Sequence, residues 1–472
     1  MADAVADLTR LHAHAMTDRL RAGDVSSREL VEAHLDRAEA ENRALNAWLT
    51  IDRERALAEA DAADARLAAA RAEGAKLRSD THPLLGVPVA LKDLVSLKGG
   101  QCTAGSRILE GYVAPYDAHI TERLRDAGAV ILGKTNMDEF AMGSSNEFSA
   151  FGPVSNPWDL ETVPGGSSGG SAVAVAAYHA PLSIGTDTGG SIRQPASLCG
   201  IVGMKPTYGR VSRYGIVAFA SSLDQIGPLA RDVRDAATLL HAVAGRDERD
   251  STSAPVPVPD ELLSLPASDD EAADALRGKR LGLPREYFVD GMEPETGRRV
   301  REAVEALEAA GATVEEVSLP HTDYGLATYY IVAPAEASAN LARYDGIRYG
   351  RAVGPHDDYL ADYLATRGGG FGPEVKRRVM LGTYALSAGY YDAFYVKAQK
   401  VRTLIKRDFD TLFAAGFDAL VAPTSPTPAF RFGAKLDEPV QMYLSDACTL
   451  PDNMAGLPGI YLICCVSFWV SV

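Results

Sequence analysis

Two glycine- and serine-rich segments, residues 165–171 (GGSSGGS) and 185–193 (GTDTGGSIR), are walled in by apolar sequence, and no other feature constrains the chain as tightly. Residues 172–177 (AVAVAA) follow the first, and residues 181–184 (PLSI) precede the second. Flexible linkers also carry glycine and serine, but their flanks are solvated. Segments embedded in this way read as interior backbone that another group must approach closely, because glycines let several N–H groups turn toward one atom. Ser167 and Ser191 stand 24 residues apart, and 75 residues before Ser167 the apolar run 86–91 ends in Lys92.

Lys92, Ser167 and Ser191 form a candidate catalytic set. A serine hydroxyl is a poor nucleophile until a base takes its proton, and serine–lysine pairing is one recurring solution. Lysine accepts a proton only when neutral, so burial has to lower its pKa from about 10.4 toward 7 or 8, a cost of roughly 4 kcal/mol. The last position of a buried strand suits that requirement. Two other readings fit less well. A phosphate-cradling loop needs Lys then Ser or Thr after its last glycine, where the chain has Gly170, Ser171 and Ala172. The G-x-S-x-G elbow of α/β-hydrolases is satisfied by residues 165–169 and would make Ser167 the nucleophile. It requires a preceding strand and a downstream histidine base. Residues 156–164 are turn-rich, and His179, His241, His321 and His356 read as surface or packed residues.

With these segments the chain resembles the amidase signature family, whose hallmark is a Ser-cis-Ser-Lys triad within a Gly/Ser-rich stretch. Within that family it is closer to the ammonia-supplying subunits of bacterial tRNA-dependent amidotransferases. That likeness is carried by residues 134–147, 200–215, 336–341, 344–350 and 376–383, and extends from near the N-terminus to about Gly459. The resemblance implies Ser191 as nucleophile, Ser167 as the cis serine relaying the proton, and Lys92 as base. It also implies an oxyanion hole from the N–H groups of Thr188, Gly189 and Gly190, with Asp187 bracing the loop. Glutamine as ammonia donor presents a carboxylate and an ammonium. Arg378 and Asp446, with Tyr329 or Tyr330 as a further wall, fall in segments resembling the family's donor pocket.

The fold expected from this likeness is α/β, an amidase-signature-like mixed β-sheet core covered by helices on both faces. An N-terminal helical region, residues 1–80, should pack on a catalytic domain of residues 81–459, with a linker near 251–270 where Ser, Thr and Pro cluster. Residues 460–472 fit no pattern of the family and read as a truncated or frame-shifted tail. Ser26 and Glu29 spell a capping box opening a helix whose face carries Leu30, Val31, His34, Leu35 and Ala38, and a helical stretch is expected over roughly 52–74. Residues 120–127 and 130–132 read as a helix then a strand. A second passage of strand, helix and strand is expected at 280–283, about 294–310 and 313–317, with a late core strand at 418–423.

A net charge of −16, from 47 basic and 63 acidic side chains, opposes direct nucleic-acid binding, which needs a basic footprint. The resemblance resolves this. It implies partner subunits B and C, with misacylated Glu-tRNA(Gln) or Asp-tRNA(Asn) held mainly by the B-subunit. ATP and Mg are expected on that partner, and no nucleotide site and no metal in this chain. Cys102, Cys199, Cys448, Cys464 and Cys465 show neither metal-ligand spacing nor a disulfide framework. The first residues lack the basic and apolar regions of a signal peptide, and the expectation is a cytoplasmic protein without membrane contact. A free-standing amidase acting on another small amide, and a non-catalytic scaffold, remain as alternatives.

Overall fold

The computed structural model describes residues 7–72, 82–266, 268–354, 357–462 and 466–470. Eleven strands make one sheet. They are β1 (Trp48–Ile51), β2 (Pro88–Lys92), β3 (Val130–Thr135), β4 (Leu182–Asp187), β5 (Val202–Lys205), β6 (Gln225–Ala230), β7 (Arg280–Pro284), β8 (Thr313–Val317), β9 (Ala419–Pro423), β10 (Gly459–Leu462) and β11 (Val466–Val470). Their spatial order is β1-β3-β2-β4-β6-β5-β10-β11-β9-β7-β8. The sheet is mixed. β2 runs parallel to both β3 and β4, and β7 parallel to both β8 and β9, while the remaining pairs are antiparallel.

The first half of the chain supplies α1 (Ala13–Ala22), α2 (Ser27–Leu45), α3 (Arg53–Ala72), α4 (His119–Asp126), α5 (Gly169–Ala176), α6 (Arg193–Cys199) and α7 (Val233–Val243). The second half supplies α8 (Asp269–Leu276), α9 (Pro294–Ala309), α10 (Gly325–Asn340), α11 (Tyr359–Gly370), α12 (Pro373–Leu386), α13 (Lys397–Ala414), α14 (Pro439–Leu444) and α15 (Leu450–Ala455). Side-chain alternation along the strands shows that both faces are covered. On β3, Val130 and Leu132 join one core cluster and Ile131 another; on β2, Ala90 joins the first while Val89 and Leu91 join the second. β9 repeats the pattern, with Leu420 and Ala422 on one side and Ala419 and Val421 in a cluster with Val300 of α9 on the other.

Local expectations fare well where short-range chemistry decides them. The Ser26 hydroxyl accepts from Glu29 N–H at 3.1 Å and the Glu29 carboxylate accepts from Ser26 N–H at 2.8 Å, closing the capping box. His34 is buried on the inner face of α2, its ring bonded to Leu30 O at 2.9 Å. The stretch expected as helix over roughly 52–74 is α3, and residues 73–81 lie outside the described residues. The N-terminal region is not wholly helical. β1 pairs antiparallel with β3 at the edge of the sheet, a strand too short for its periodicity to register in sequence. The linker expected near 251–270 is irregular to Pro259; a single tight turn then spans Asp260–Leu263 and α8 opens at Asp269. In the tail, β10 pairs with β5 and β11 with β9, so these strands join the two halves of the sheet. Cys102, Cys199 and Cys448 are buried free thiols, while Cys464 and Cys465 lie outside the described residues.

A buried ion network ties the two halves again, behind the second glycine-rich segment. Arg193 Nη1 donates to both oxygens of Asp452 at 2.8 and 2.7 Å, its Nε donates to Asp187 at 3.1 Å, and Lys205 Nζ lies 3.5 Å from Asp452. All four side chains are fully buried. Breaking such a set by neutralising one member leaves an uncompensated buried charge, typically costing about 3–5 kcal/mol. Asp452→Asn is therefore expected to lower the denaturant midpoint by an amount of that order, measured by chemical unfolding followed by circular dichroism; an unchanged midpoint would contradict it.

Candidate active site

β2 is flanked on both sides by parallel strands, so its last residue, Lys92, emerges inside the protein and is fully buried. Nζ lies 2.8 Å from Ser167 Oγ, 2.8 Å from Ser168 Oγ and 2.9 Å from Thr186 Oγ1. Three hydroxyls satisfy a lysine head that water cannot reach. Burial pushes the Lys92 ammonium down to about 7, against the opposing pull of Asp138, Asp187 and Asp224. The Ser168 hydroxyl donates to Thr186 O at 3.1 Å, so it meets Lys92 as an acceptor. Among the described residues Ser167 has no such second bond, which leaves its proton available to Nζ. The Gly166–Ser167 peptide bond is cis.

The two glycine-rich segments touch directly: Ser168 N–H donates to Ser191 O at 3.2 Å. Ser191 precedes α6 and is 8% exposed, whereas Lys92 and Ser167 are 0% exposed. Gly190 has φ +144°, and a Cβ there would stand 2.3 Å from Thr449 Oγ1, so only glycine fits this turn.

Asp187 holds the loop through backbone and side chain together. Its carboxylate accepts from Gly190 N–H at 2.8 Å and Ile192 N–H at 3.2 Å as well as from Arg193. Burial alone would raise its pKa, but Arg193, Lys205 and Asn453 outweigh burial and hold it down to about 2. Of the three N–H groups expected in the oxyanion hole, that of Gly190 donates to Asp187 Oδ1. Thr188 is fixed by its hydroxyl donating to Asp224 at 2.8 Å.

The four residues expected around a donor molecule converge next to this loop. A Cβ added at Gly189 would lie 2.8 Å from the Tyr329 ring, which places that ring against the loop's backbone. Tyr330 stacks on Tyr443, with ring centroids 3.9 Å apart, and meets Tyr329 edge-on at 5.0 Å. Arg378 is buried, lies over the Tyr330 and Tyr443 rings at 5.1 and 5.3 Å, and donates from Nε to Glu374 at 2.7 Å. Asp446 Oδ2 accepts from Ser144 Oγ at 2.6 Å. Burial raises the Asp446 carboxyl to about 7, against the Ser144 hydrogen bond and the Arg378 charge. One guanidinium and one carboxyl thus stand close together beside the stacked Tyr330 and Tyr443 rings.

Sequence reasoning gave no role to Ser168 or Thr186 on Lys92, to Glu374 and Tyr443 around Arg378, or to Ser144 on Asp446. Ser168 adjoins Ser167, and its neighbour's assignment could have prompted it. Glu374 precedes Arg378 by one helical turn on α12, a spacing at which paired charges meet. Ser144 and Asp446 are 302 residues apart, and nothing local joins them.

An α/β core with a buried lysine hydrogen-bonded to a serine, beside a glycine loop ending in a second serine, defines a serine hydrolase of the amide-cleaving class. The chain belongs to the Amidase family, whose profile matches residues 29–467. It is 58% identical over 458 residues, 97% of this chain and 91% of the relative, to the glutamyl-tRNA(Gln) amidotransferase A-subunit of Moorella thermoacetica. The same-named protein of a Roseiflexus species is 57% identical over 460 residues, covering 97% of this chain and 91% of the relative. Among solved structures, the glutamyl-tRNA(Gln) amidotransferase A-subunit of Thermotoga maritima superimposes with a TM-score of 0.77 at 39% identity, covering 100% of this chain and 92% of that one. The peptide amidase of Stenotrophomonas maltophilia gives 0.78 at 32% identity, covering 98% and 93%.

A base at Lys92 implies a pH response: with its pKa at about 7, the amine is mostly charged below that pH and mostly neutral above it. The turnover rate of amide hydrolysis is expected to rise with pH through about 7 and then level off. Replacing Lys92 by Ala should abolish that limb and lower the rate by at least about 10³-fold. A wild-type profile flat from pH 5 to pH 9 would sink this assignment.

Proposed function

We propose that this chain is the glutamine-hydrolysing A-subunit of a tRNA-dependent amidotransferase, and that Lys92, Ser167 and Ser191 carry its chemistry. Ser191 Oγ attacks the side-chain amide carbon of glutamine while its proton moves to Ser167 Oγ, whose own proton passes to neutral Lys92 Nζ. The N–H groups of Thr188 and Gly189 receive the developing oxyanion. Collapse breaks the C–N bond, and the proton returns through Ser167 to the leaving ammonia. Water then hydrolyses the γ-glutamyl ester on Ser191, so glutamine and water become glutamate and ammonia.

The observation that supports this reading is that Tyr329, Tyr330, Arg378 and Asp446 gather beside the loop carrying Ser191, next to the buried Lys92–Ser167 pair. A free amino acid presents one carboxylate and one ammonium, which a guanidinium and a carboxyl match. In this reading subunits B and C complete a cytoplasmic heterotrimer. The B-subunit holds the misacylated Glu-tRNA(Gln) and uses ATP and Mg to activate its acyl group, which the ammonia then attacks. The negative net charge of this chain accords with leaving the tRNA to a partner. No helix among the described residues is long and apolar enough to cross a membrane.

The test is ammonia release from glutamine by the chain co-expressed with subunits B and C. Ser191→Ala and Ser167→Ala should fall to background. Arg378→Lys and Asp446→Asn should raise KM for glutamine by about tenfold or more while the complex still assembles, since each replaces a charge-assisted contact worth about 1.5–3 kcal/mol. Hydrolysis of simple amides without glutamine turnover would point instead to a free-standing amidase, and a folded but inert complex to a scaffold.

A further inference from the structure

Away from the active site, two short stretches 218 or more residues apart bring four metal-ligating side chains together. His12 and His14 stand at the start of α1, and Asp232 and Asp235 at the start of α7. One ligand atom from each lies within 4.8 Å of all the others. His12 Nδ1 is 2.5 Å from Asp232 Oδ2 and 3.9 Å from an Asp235 oxygen; His14 Nδ1 is 3.6 Å from Asp232 Oδ2 and 2.9 Å from Asp235 Oδ1.

We propose that His12, His14, Asp232 and Asp235 form a binding site for a zinc-type divalent transition-metal ion that clasps the N-terminal segment to α7. Ligands about 2.0–2.1 Å from a tetrahedral zinc ion stand about 3.4 Å from one another, in the middle of the four separations above. The carboxylates are already oriented for the task. Asp232 Oδ1 accepts from Asp235 N–H at 2.7 Å and Asp235 Oδ2 accepts from Ala13 N–H at 2.6 Å, the kind of outer hydrogen bond that fixes metal-ligating carboxylates. Asp235 is buried, whereas both imidazoles reach solvent. A cavity of about 370 Å³ bordered by Ala13, His14, Thr17 and Asp235 gives an ion a way in.

Two imidazoles and two carboxylates select a borderline ion such as zinc over calcium or magnesium, which take oxygen ligands alone. Four protein ligands leave no open coordination position, so the site is structural and lies outside the hydrolytic chemistry. Sequence reading expected no metal, since no spacing rule joins His-x-His near residue 12 to an Asp pair more than 200 residues later.

The test is competition titration of the full chain, freed of metal by chelator dialysis, with Zn²⁺ against a chromophoric chelator. One equivalent should bind per chain and raise Tm. His12→Gln and Asp232→Asn should each weaken binding by at least roughly tenfold. His241→Gln, at the far end of α7 beside Asp260, should leave it unchanged. His12 is 43% exposed, so its variant decides the matter even where Asp232→Asn disturbs folding. Visible absorption bands of tetrahedral Co²⁺ in wild type, absent from His12→Gln, give an independent reading. Absence of stoichiometric binding by wild type, or binding that survives both His12→Gln and His14→Gln, overturns the proposal.

Discussion

A lysine nitrogen kept from water at the end of a buried strand is the constraint around which this molecule is arranged. Holding Lys92 where its pKa falls from 10.5 to about 7 costs about 5 kcal/mol whenever the group is charged. The surroundings make that cost tolerable and useful. Three hydroxyls, those of Ser167, Ser168 and Thr186, replace the water the head group has lost. The fold has to deliver those hydroxyls from two different segments, and this explains why glycine dominates both. A larger residue at position 166 would place its Cβ 2.0 Å from Asp138 Oδ2, and one at 185 would crowd Leu229, Ile192 and Ser168.

The sheet turns this requirement into geometry. Parallel β3 and β4 on either side of β2 bury Lys92, and β4 runs straight into the loop that carries Thr188 to Ser191. Base and loop thus sit on adjacent strands, so their spacing is set by the ladder. Behind the loop, Asp187 and Arg193 lock it to Asp452 and Asn453 of α15, in the last part of the chain. The backbone there is pinned by charge-assisted hydrogen bonds in a region without water, where they are strong. The Thr449 hydroxyl, just before α15, donates to Gly189 O at 2.6 Å, and Asp446 lies a few residues earlier. One buried ion cluster therefore anchors both the Ser191 loop and the helix that follows Asp446.

The surroundings of Arg378 illustrate how a cation can be held in a mainly apolar place. Arg378 lies over two tyrosine rings and is paired by Glu374, which also accepts from Tyr443 Oη at 2.9 Å. The rings remain protonated, since burial pushes both Tyr329 and Tyr330 upward. Asp446, by contrast, is poised between its two protonation states at about 7. An ammonium beside it would favour the charged form.

What the sequence by itself determined was whatever depends on neighbours along the chain. The glycine tracts, the apolar run before Lys92, the capping box at Ser26 and the strand–helix–strand passage from Arg280 to Val317 were legible because periodicity and local hydrogen bonding fix them. The residue pattern pointed to Lys92, Ser167 and Ser191, and segments resembling one family to Arg378, Asp446, Tyr329 and Tyr330; in the structure Lys92 Nζ meets Ser167, and the Tyr329 ring lies against the Gly189 backbone beside Ser191. The tertiary structure alone decided the rest. It gave the Gly190 N–H to Asp187. It placed the four-residue strand β1 at the sheet edge and threaded β10 and β11 between β5 and β9. It paired Ser144 with Asp446 and set two histidines against two aspartates more than 200 residues away. In each case the deciding partner is distant along the chain, and a hydrogen bond or ion pair between distant residues leaves no periodic trace in either stretch that forms it.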